Sequence, residues 1–158
     1  MGPLFEHKLC PPALLAARLA DLPRPLVFTN GCFDILHRGH VTYLAEARAL
    51  GAALLVAVNS DASVRRQGKG DDRPINPLED RMALLAALES VSLVVAFDTD
   101  TPLDLIRATH PDVLVKGGDW AIHQIVGAPE VESWGGTVHS IPFRHSTSTT
   151  ALLERIRA

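Results

Sequence analysis

Short, continuous apolar runs alternate with segments of helical spacing along the chain. A continuous run is typical of a strand that is buried on both faces of a parallel sheet. The segments between the runs carry apolar residues three and four positions apart, as amphipathic helices do. This alternation predicts an α/β fold, an open, doubly wound, Rossmann-like parallel sheet with helices on both faces. The predicted strands are RPLVFTN, ALLVAVNSD, LVVAF, DVLVKGG and TVHSIPF.

Capping residues predict where the helices begin and end. Asn76, Pro77 and Glu79 have the order of a cap, a first-turn proline and a third-position carboxylate, which predicts a helix over PLEDRMALLAALES. Gly51 is predicted to end the helix GHVTYLAEARALG. The other predicted helices are PPALLAARLADL within a leading segment over residues 1–24, TPLDLIRATH between a Thr101 cap and Pro111, APEVESWGG, and STTALLERIRA with a hydroxyl cap.

One segment between the second predicted strand and the PLEDR helix lacks periodicity. It is ASVRRQGKGDDRPI, which is rich in charge and contains glycines. We expect this segment to be an exposed, mobile loop.

Length and composition indicate one domain over residues 1–158, with 47% hydrophobic and 21% charged residues. No apolar run approaches the roughly 20 residues that span a bilayer, so we expect no membrane partner. The N-terminal sequence MGPLFEHKLCPP lacks the pattern of a secretory signal, so we expect a cytoplasmic protein. Cys10 and Cys32 have no paired spacing, which predicts neither a disulfide framework nor a thiolate zinc site.

The distribution of charge argues for a small anionic ligand. The net charge is −3, whereas a nucleic-acid-binding face would be strongly basic, so no nucleic-acid partner is expected. Positive charge is concentrated in RRQGKGDDR and FRHSTSTT. Polar residues also follow the predicted strands, in TNGCFD, NSD, FDTD and VKGGDW, where doubly wound sheets bind their ligands.

The first of these turns carries the strongest candidate chemistry. His37 and His40 lie three apart at a predicted helix start, and Gly39 lets a ligand approach the backbone. Two imidazoles that donate to phosphate oxygens would stabilise charge that develops at phosphorus, which suits phosphoryl or nucleotidyl transfer. Spacing alone leaves two alternatives open: solvated surface histidines, or zinc ligands together with Cys32.

Longer motifs identify a family resemblance. TNGCFDILHRGH resembles the signature of the nucleotidylyltransferase superfamily, with His37-Arg38-Gly39-His40 as its HxGH motif, and STSTTALLERI resembles the second signature. From about residue 25 onward the chain resembles the D-glycero-β-D-manno-heptose 1-phosphate adenylyltransferases of lipopolysaccharide precursor synthesis, in their stand-alone form. The motifs of that resemblance are GCFDILHRGHVTYLAEARALG, VAVNSDASVRRQGKGDDRPINPLEDRMALLAALESV, PDVLVKGGDW and VGAPEVESWGGTVHSIPF.

The resemblance implies roles for individual residues. His37 and His40 would contact the nucleotide phosphates, and the mobile Lys69 would close over them; a solvated loop cation is the alternative for Lys69. Arg81 would bind the triphosphate, or else pair with acidic neighbours on its helix. The resemblance implies further nucleotide-binding residues: Asn30, Gly31, Phe33 and Gly39 would line the cleft, and Asp119 would bind the ribose with Lys116 nearby. Ser148 and Thr149 would bind phosphate. Arg144 is also implied as a nucleotide-binding residue, although its segment departs from the family pattern.

The implied reaction transfers AMP from ATP to D-glycero-β-D-manno-heptose 1-phosphate and yields ADP-heptose and pyrophosphate. The resemblance implies Mg²⁺ bound mainly through ATP, no dedicated metal site, a separate upstream heptose kinase, and a homodimer or higher homo-oligomer. Two alternatives remain open: a cytidylyltransferase acting on glycerol 3-phosphate or a related alcohol phosphate, and a non-catalytic nucleotide sensor.

Overall fold

Five parallel strands form one sheet in the computed structural model, which describes residues 1–158. The strands are β1 (Leu26–Gly31), β2 (Ala53–Asn59), β3 (Leu93–Phe97), β4 (Val113–Gly117) and β5 (Thr137–Ile141). Their order across the sheet is β3-β2-β1-β4-β5, and every neighbouring pair is parallel. The predicted doubly wound sheet is therefore confirmed, with its strand order reversing between β1 and β4.

Helices connect successive strands, precede β1 and follow β5, and they cover both faces of the sheet. They are α1 (Leu15–Ala20), α2 (Arg38–Arg48), α3 (Asp61–Arg66), α4 (Leu78–Ala86), α5 (Leu103–Thr109), α6 (Ala128–Ser133) and α7 (Thr149–Arg157), with short 3₁₀ helices at Leu4–Lys8, Pro12–Leu14 and Ile122–Gln124. None of these helices combines the length and the apolar character that crossing a membrane requires.

Continuous apolar runs become central strands because both faces of the sheet are buried. Every residue of β2 is buried. Leu55 packs into one apolar layer and Leu54 into the other, since successive side chains point to opposite faces. Full burial of each such leucine contributes about 1.5–3 kcal/mol.

The segment predicted as a mobile loop contains most of a helix, and that prediction was wrong for residues 62–66. Ser60 caps α3 by accepting a hydrogen bond from the Ser63 N–H at 3.1 Å. Ser63 and Val64 are buried against the sheet. Irregular, exposed chain begins only after α3, with Gln67 and the glycine-rich stretch that carries Lys69.

Several predicted helix ends also need correction. Pro77, not Asn76, is the N-cap of α4, because the Asn76 side chain donates instead to the Asp34 carbonyl at 2.7 Å. Helix α2 ends at Arg48, before Gly51. A Cβ on Gly51 would lie 2.6 Å from the Pro25 carbonyl oxygen, so glycine is required here for a close approach of two backbones.

The closing helix begins as predicted. Ser148 is the N-cap of α7, and its hydroxyl accepts a hydrogen bond from the Ala151 N–H at 3.0 Å. Thr149 then donates to the Ile35 carbonyl at 3.2 Å. This bond ties the start of α7 to the turn between β1 and α2, so the two signature motifs of the sequence meet in space.

Candidate active site

A cleft with two lobes opens at the carboxyl ends of β1 and β4, where the strand order reverses. Ligands bind at this position in doubly wound sheets. The first lobe has a volume of about 380 Å³ and the second about 280 Å³. Both lobes are lined by Asn30, Gly31, Cys32, Lys69 and Lys116. The first lobe adds Phe33, Asp34, His40, Tyr43, Arg73, Gly117, Phe143, Thr149 and Thr150. The second lobe adds Asn59, Gln67, Asp100, Thr101, Pro102, Trp120, Gln124, Ile125 and Val126.

The His37 ring is held by the helix that it caps. Its Nδ1 accepts a hydrogen bond from the Gly39 N–H at 3.1 Å. A Cβ on Gly39 would lie 2.9 Å from the His37 ring, so glycine makes room for this ring position. Since Nδ1 is the acceptor, the neutral ring carries its hydrogen on Nε2, where it is available to a ligand.

His40 lies beside His37 and is half-buried in the first lobe. The two rings stack with centroids 3.8 Å apart, and the edge of Phe33 approaches His40 at 5.4 Å. Burial, together with the nearby His37 and Lys69, lowers the pKa of His40 to about 4. His40 is therefore neutral near pH 7 and, like His37, acts through hydrogen bonding more than through charge.

Phe33 adopts a backbone conformation that is rare for a large residue. Its φ angle is +49°, in the left-handed region. Such a conformation costs on the order of 1–3 kcal/mol and persists where the surroundings impose it. A Cβ on Gly31 would lie 2.9 Å from the Phe33 ring, so the glycine allows the ring to fold back over the end of β1.

Two lysines supply the positive charge at the junction of the lobes. Lys69 is exposed, and its Nζ lies 3.5 Å from the Cys32 Sγ. Burial, and after it the Lys69 ammonium, lowers the pKa of Lys116, while Cys32 opposes that shift. The Lys116 Nζ also lies 5.5 Å from the centre of the Trp120 ring. Both ammonium groups face the space that the two lobes share.

A buried ion pair that sequence reasoning missed fixes the loop after Lys69. The Arg73 Nε donates to the Asp34 carboxylate at 2.6 Å, and the Ile75 and Asn76 N–H groups donate to the same carboxylate at 2.9 Å. Burial opposes ionisation of Asp34, but the hydrogen bonds from Asn76, Ile75 and Arg73 outweigh it and hold the carboxyl pKa below its ordinary value. This ion pair anchors the loop to the β1–α2 turn.

Arg81 lines neither lobe of the cleft, although the resemblance implies that it binds the triphosphate. Its side chain is fully buried. The guanidinium donates to the backbone carbonyls of Cys32 and Asn59 at 2.8 Å and of Asn76 at 2.9 Å, and to the Asp61 carboxylate at 2.7 Å. It has no exposed surface for a triphosphate, and its ion-pair partner is on α3 and not on its own helix.

Two further predicted residues lie at the margin. Asp119 is exposed and lines neither lobe. Arg144 is exposed and pairs with Glu46 of α2. The structure thus brings the histidines, the lysines and the start of α7 together, but it does not bring Asp119 or Arg144 into the cleft walls.

The family model described as cytidylyltransferase-like matches residues 28–155, which include both histidines, both lysines and most of α7. The chain belongs to the cytidylyltransferase-like family.

Relatives within this nucleotidylyltransferase group share most of the chain. A Bordetella bronchiseptica protein named D-beta-D-heptose 1-phosphate adenylyltransferase is 57% identical over 155 residues, covering 97% of this chain and 96% of the relative. The Bifunctional protein HldE of Alcanivorax borkumensis is 60% identical over 132 residues, covering 84% of this chain and 28% of that longer protein.

Solved structures agree with the fold. A lipopolysaccharide core biosynthesis protein from Thermoplasma volcanium has a TM-score of 0.62 and 29% identity, covering 77% of this chain and 98% of that one. The Francisella tularensis pantoate-beta-alanine ligase complexed with beta-gamma ATP and beta-alanine has a TM-score of 0.60 at 13% identity, covering 87% of this chain and 67% of that one. At that identity the second likeness shows a shared fold alone.

Sequence reasoning also missed the apolar wall of the first lobe in this cytidylyltransferase-like chain. Phe143 meets Tyr43 edge to face with ring centroids 5.9 Å apart. A Cβ on Gly117 would lie 3.0 Å from the Phe143 ring, which therefore rests on the end of β4. Tyr43 is buried, and burial raises its hydroxyl pKa, while Phe143 remains half-exposed. In the sequence Phe143 is the last residue of the predicted strand TVHSIPF, whereas β5 ends at Ile141, so Phe143 belongs to the loop that follows the strand.

Proposed function

We propose that this chain transfers AMP from ATP to D-glycero-β-D-manno-heptose 1-phosphate, producing ADP-heptose and pyrophosphate for the lipopolysaccharide core. The observation that carries the proposal is the 57% identity over 97% of the chain to a protein named D-beta-D-heptose 1-phosphate adenylyltransferase. A cleft with two stacked, neutral histidines at the switch point supports it, because nucleotidyl transfer needs hydrogen-bond donors aimed at a phosphate.

The reaction is a direct displacement at phosphorus. A phosphate oxygen of the sugar 1-phosphate forms a bond to the α-phosphorus of ATP, and the bond from that phosphorus to the bridging oxygen of pyrophosphate breaks. The nucleophile is already an anion, so the mechanism needs no strong general base. Catalysis then depends on holding two anionic groups in line and on stabilising the charge that develops between them.

Particular side chains of the cleft have roles in this step. The Nε2–H of His37 donates to an α-phosphate oxygen, with His40 stacked beside it in the first lobe. Lys69 and Lys116 neutralise charge at the junction of the lobes. The free N–H groups at the start of α7 face the same lobe through Thr149, where the helix dipole favours phosphate. The base packs against Phe143.

ATP-dependent nucleotidylyltransferases use a divalent metal, and we propose Mg²⁺ here. No group of three or more His, Cys, Asp and Glu side chains lies together in a way that would hold a metal ion. A cation that is bound mainly by the triphosphate oxygens does not require such a cluster, since Mg²⁺ commonly binds through substrate phosphates. When bound, the cation neutralises phosphate charge.

The acceptor already carries a phosphate, so the proposal requires a sugar kinase that acts before this enzyme. The cytoplasm, which supplies ATP, is the proposed compartment.

A substrate panel tests the proposal. Pyrophosphate release is measured with ATP or CTP against heptose 1-phosphate or glycerol 3-phosphate, and the product is identified by mass spectrometry. We expect ADP-heptose from ATP and heptose 1-phosphate at much the highest kcat/KM. A preference for CTP with glycerol 3-phosphate would replace the substrate assignment, and ATP binding without pyrophosphate release from any acceptor would favour a nucleotide sensor.

A further inference from the structure

The two lobes of the cleft differ in chemistry. The first lobe contains His40, the Arg73–Asp34 ion pair and the start of α7, together with the Phe143 ring. Its hydrogen-bond donors and its aromatic ring suit phosphates and a flat base. The second lobe adds three neutral amides, one hydroxyl, one carboxylate and one aromatic ring, together with the apolar residues Pro102, Ile125 and Val126. The polar and aromatic side chains are Asn59, Gln67, Asp100, Thr101, Trp120 and Gln124.

Neutral amides, hydroxyls and an aromatic face are suited to a polyhydroxylated ligand. Amides and hydroxyls both donate and accept hydrogen bonds, as sugar hydroxyl groups do. The negative face of an aromatic ring packs against the C–H groups on one side of a sugar ring. The phosphates of a nucleoside triphosphate would instead require the hydrogen-bond donors of His40 and of the start of α7, which only the first lobe provides.

The positions of Lys69 and Lys116 fix the relation between the lobes. Both lysines line both lobes, so their ammonium groups lie where a ligand in one lobe meets a ligand in the other. The groups that must meet in this reaction are two phosphates, the acceptor phosphate and the α-phosphate of ATP. The junction therefore matches the site of bond formation, and the acceptor extends away from it into the second lobe.

We propose that the second lobe is the sugar subsite, with Gln124 and Thr101 binding sugar hydroxyls and Trp120 packing against the sugar ring; this rests on the proposed function. ATP occupies the first lobe, and the sugar phosphate reaches the junction from the opposite side. The second lobe thus determines which phosphate acceptor is used.

Trp120 is held in place before any sugar arrives. Its indole Nε1–H donates to the Gly117 carbonyl at 3.0 Å, and its backbone N–H donates to the Ser140 hydroxyl at 3.0 Å. The side chain nevertheless remains 47% exposed. A large aromatic ring that is both fixed and exposed beside a cleft is preorganised for contact, because no rotamer freedom is lost on binding.

Gln124 differs from the other glutamine of the lobe. The Gln67 side chain already donates to the Asp100 carbonyl at 3.2 Å. Gln124 is exposed at the end of the short 3₁₀ helix after β4, and its side chain faces the lobe. It is therefore the better variant for testing ligand contact, since its replacement disturbs the fold least.

The test measures KM for heptose 1-phosphate and for ATP separately in three variants of the full chain. Gln124→Leu removes the amide at nearly constant size, and we expect the KM for the sugar phosphate to rise about fivefold to tenfold with the KM for ATP unchanged. Trp120→Leu is expected to raise the KM for the sugar phosphate at least as much, and Trp120→Phe, which keeps a ring, to restore part of it.

His123→Ala and Phe143→Ala are matched controls. His123 is the exposed neighbour of Gln124 outside both lobes, so its replacement should change neither KM. Phe143→Ala in the first lobe should raise the KM for ATP and spare that of the sugar phosphate. Thermal denaturation of each variant separates unfolding from lost contact.

The outcomes separate the two proposals. A raised KM for ATP in Gln124→Leu, or an unchanged KM for the sugar phosphate in both Gln124→Leu and Trp120→Leu, overturns the subsite while leaving the adenylyltransferase intact. No product from heptose 1-phosphate with the wild-type protein overturns the proposed function and the subsite with it. A selective rise in the KM for the sugar phosphate supports both.

Discussion

The Nδ1 atom of His37 accepts the Gly39 N–H at 3.1 Å, so one imidazole caps α2 and keeps its Nε2–H for a ligand beside the stacked His40. These two roles use different nitrogens of the same ring. A substitution that keeps the acceptor and removes the outer donor therefore separates helix stability from catalysis.

His37→Asn makes this separation. Asparagine is among the best N-cap residues, so the free energy of unfolding should stay near the wild-type value. Its amide is too short to replace the Nε2–H, and kcat should fall by about 10²–10³-fold. Denaturant unfolding and pyrophosphate release measure the two effects.

His37→Ala is the matched control, because it loses the cap as well and should be less stable by about 0.5–2 kcal/mol. Wild-type turnover in His37→Asn would show that the Nε2–H has no part in the reaction.

The lowered pKa of His40 predicts a pH dependence of stability. The folded-state pKa is about 4, below the ordinary value of 6.5. Between these two pKa values His40 binds a proton in the unfolded chain but not in the folded chain. The free energy of unfolding is therefore highest, as far as His40 is concerned, above pH 6.5, and it decreases as the pH falls toward 4. We expect the free energy of unfolding to decrease over that range, and to decrease less in His40→Gln.

Urea unfolding at several pH values gives the free energy of unfolding of the wild-type protein and of His40→Gln as a function of pH. The difference between the two curves is due to His40 and not to other groups that titrate. Parallel profiles would mean that His40 titrates in the folded protein as it does in water.

The sheet and the first signature motif could be predicted from sequence because both are local patterns. Buried strands are continuous runs, and the HxGH motif lies on one helix start. The Asp34–Arg73 ion pair could not be predicted, since it joins residues 39 positions apart in segments without periodicity. The two lobes likewise depend on how separate loops meet above β1 and β4.

The burial of Arg81 follows from its position among the apolar residues of α4. Leu78, Met82 and Leu85 form the apolar face of α4, and Arg81 falls between them at helical spacing. An arginine on the core-facing side of a helix must find buried acceptors, because an unpaired buried charge is strongly unfavourable. Spacing alone therefore favoured a structural role over an exposed triphosphate contact.

Lys69 tests the role of the exposed loop. Lys69→Ala should lower kcat by about two orders of magnitude, because a cation facing the reacting phosphates is lost. Its melting temperature should not change, since exposed lysines contribute little to stability. Arg65→Ala, another exposed cation that lines neither lobe, is the control and should retain full activity. Equal activity in the two variants would make Lys69 an ordinary solvated cation.

Arg81→Met tests the corrected role of Arg81. Methionine fills similar volume without donors, so the backbone carbonyls of Cys32, Asn59 and Asn76 lose their guanidinium partner. Removing one side of such a buried network costs about 3–5 kcal/mol, and urea unfolding should show a loss of that size. Whatever fraction remains folded should bind ATP with nearly wild-type affinity, because the guanidinium has no surface in the cleft. Isothermal titration with ATP at a temperature where the variant is folded measures that affinity.

The opposite pattern, wild-type stability with lost ATP binding, would restore Arg81 as a nucleotide ligand and would require the buried network to open when ATP binds.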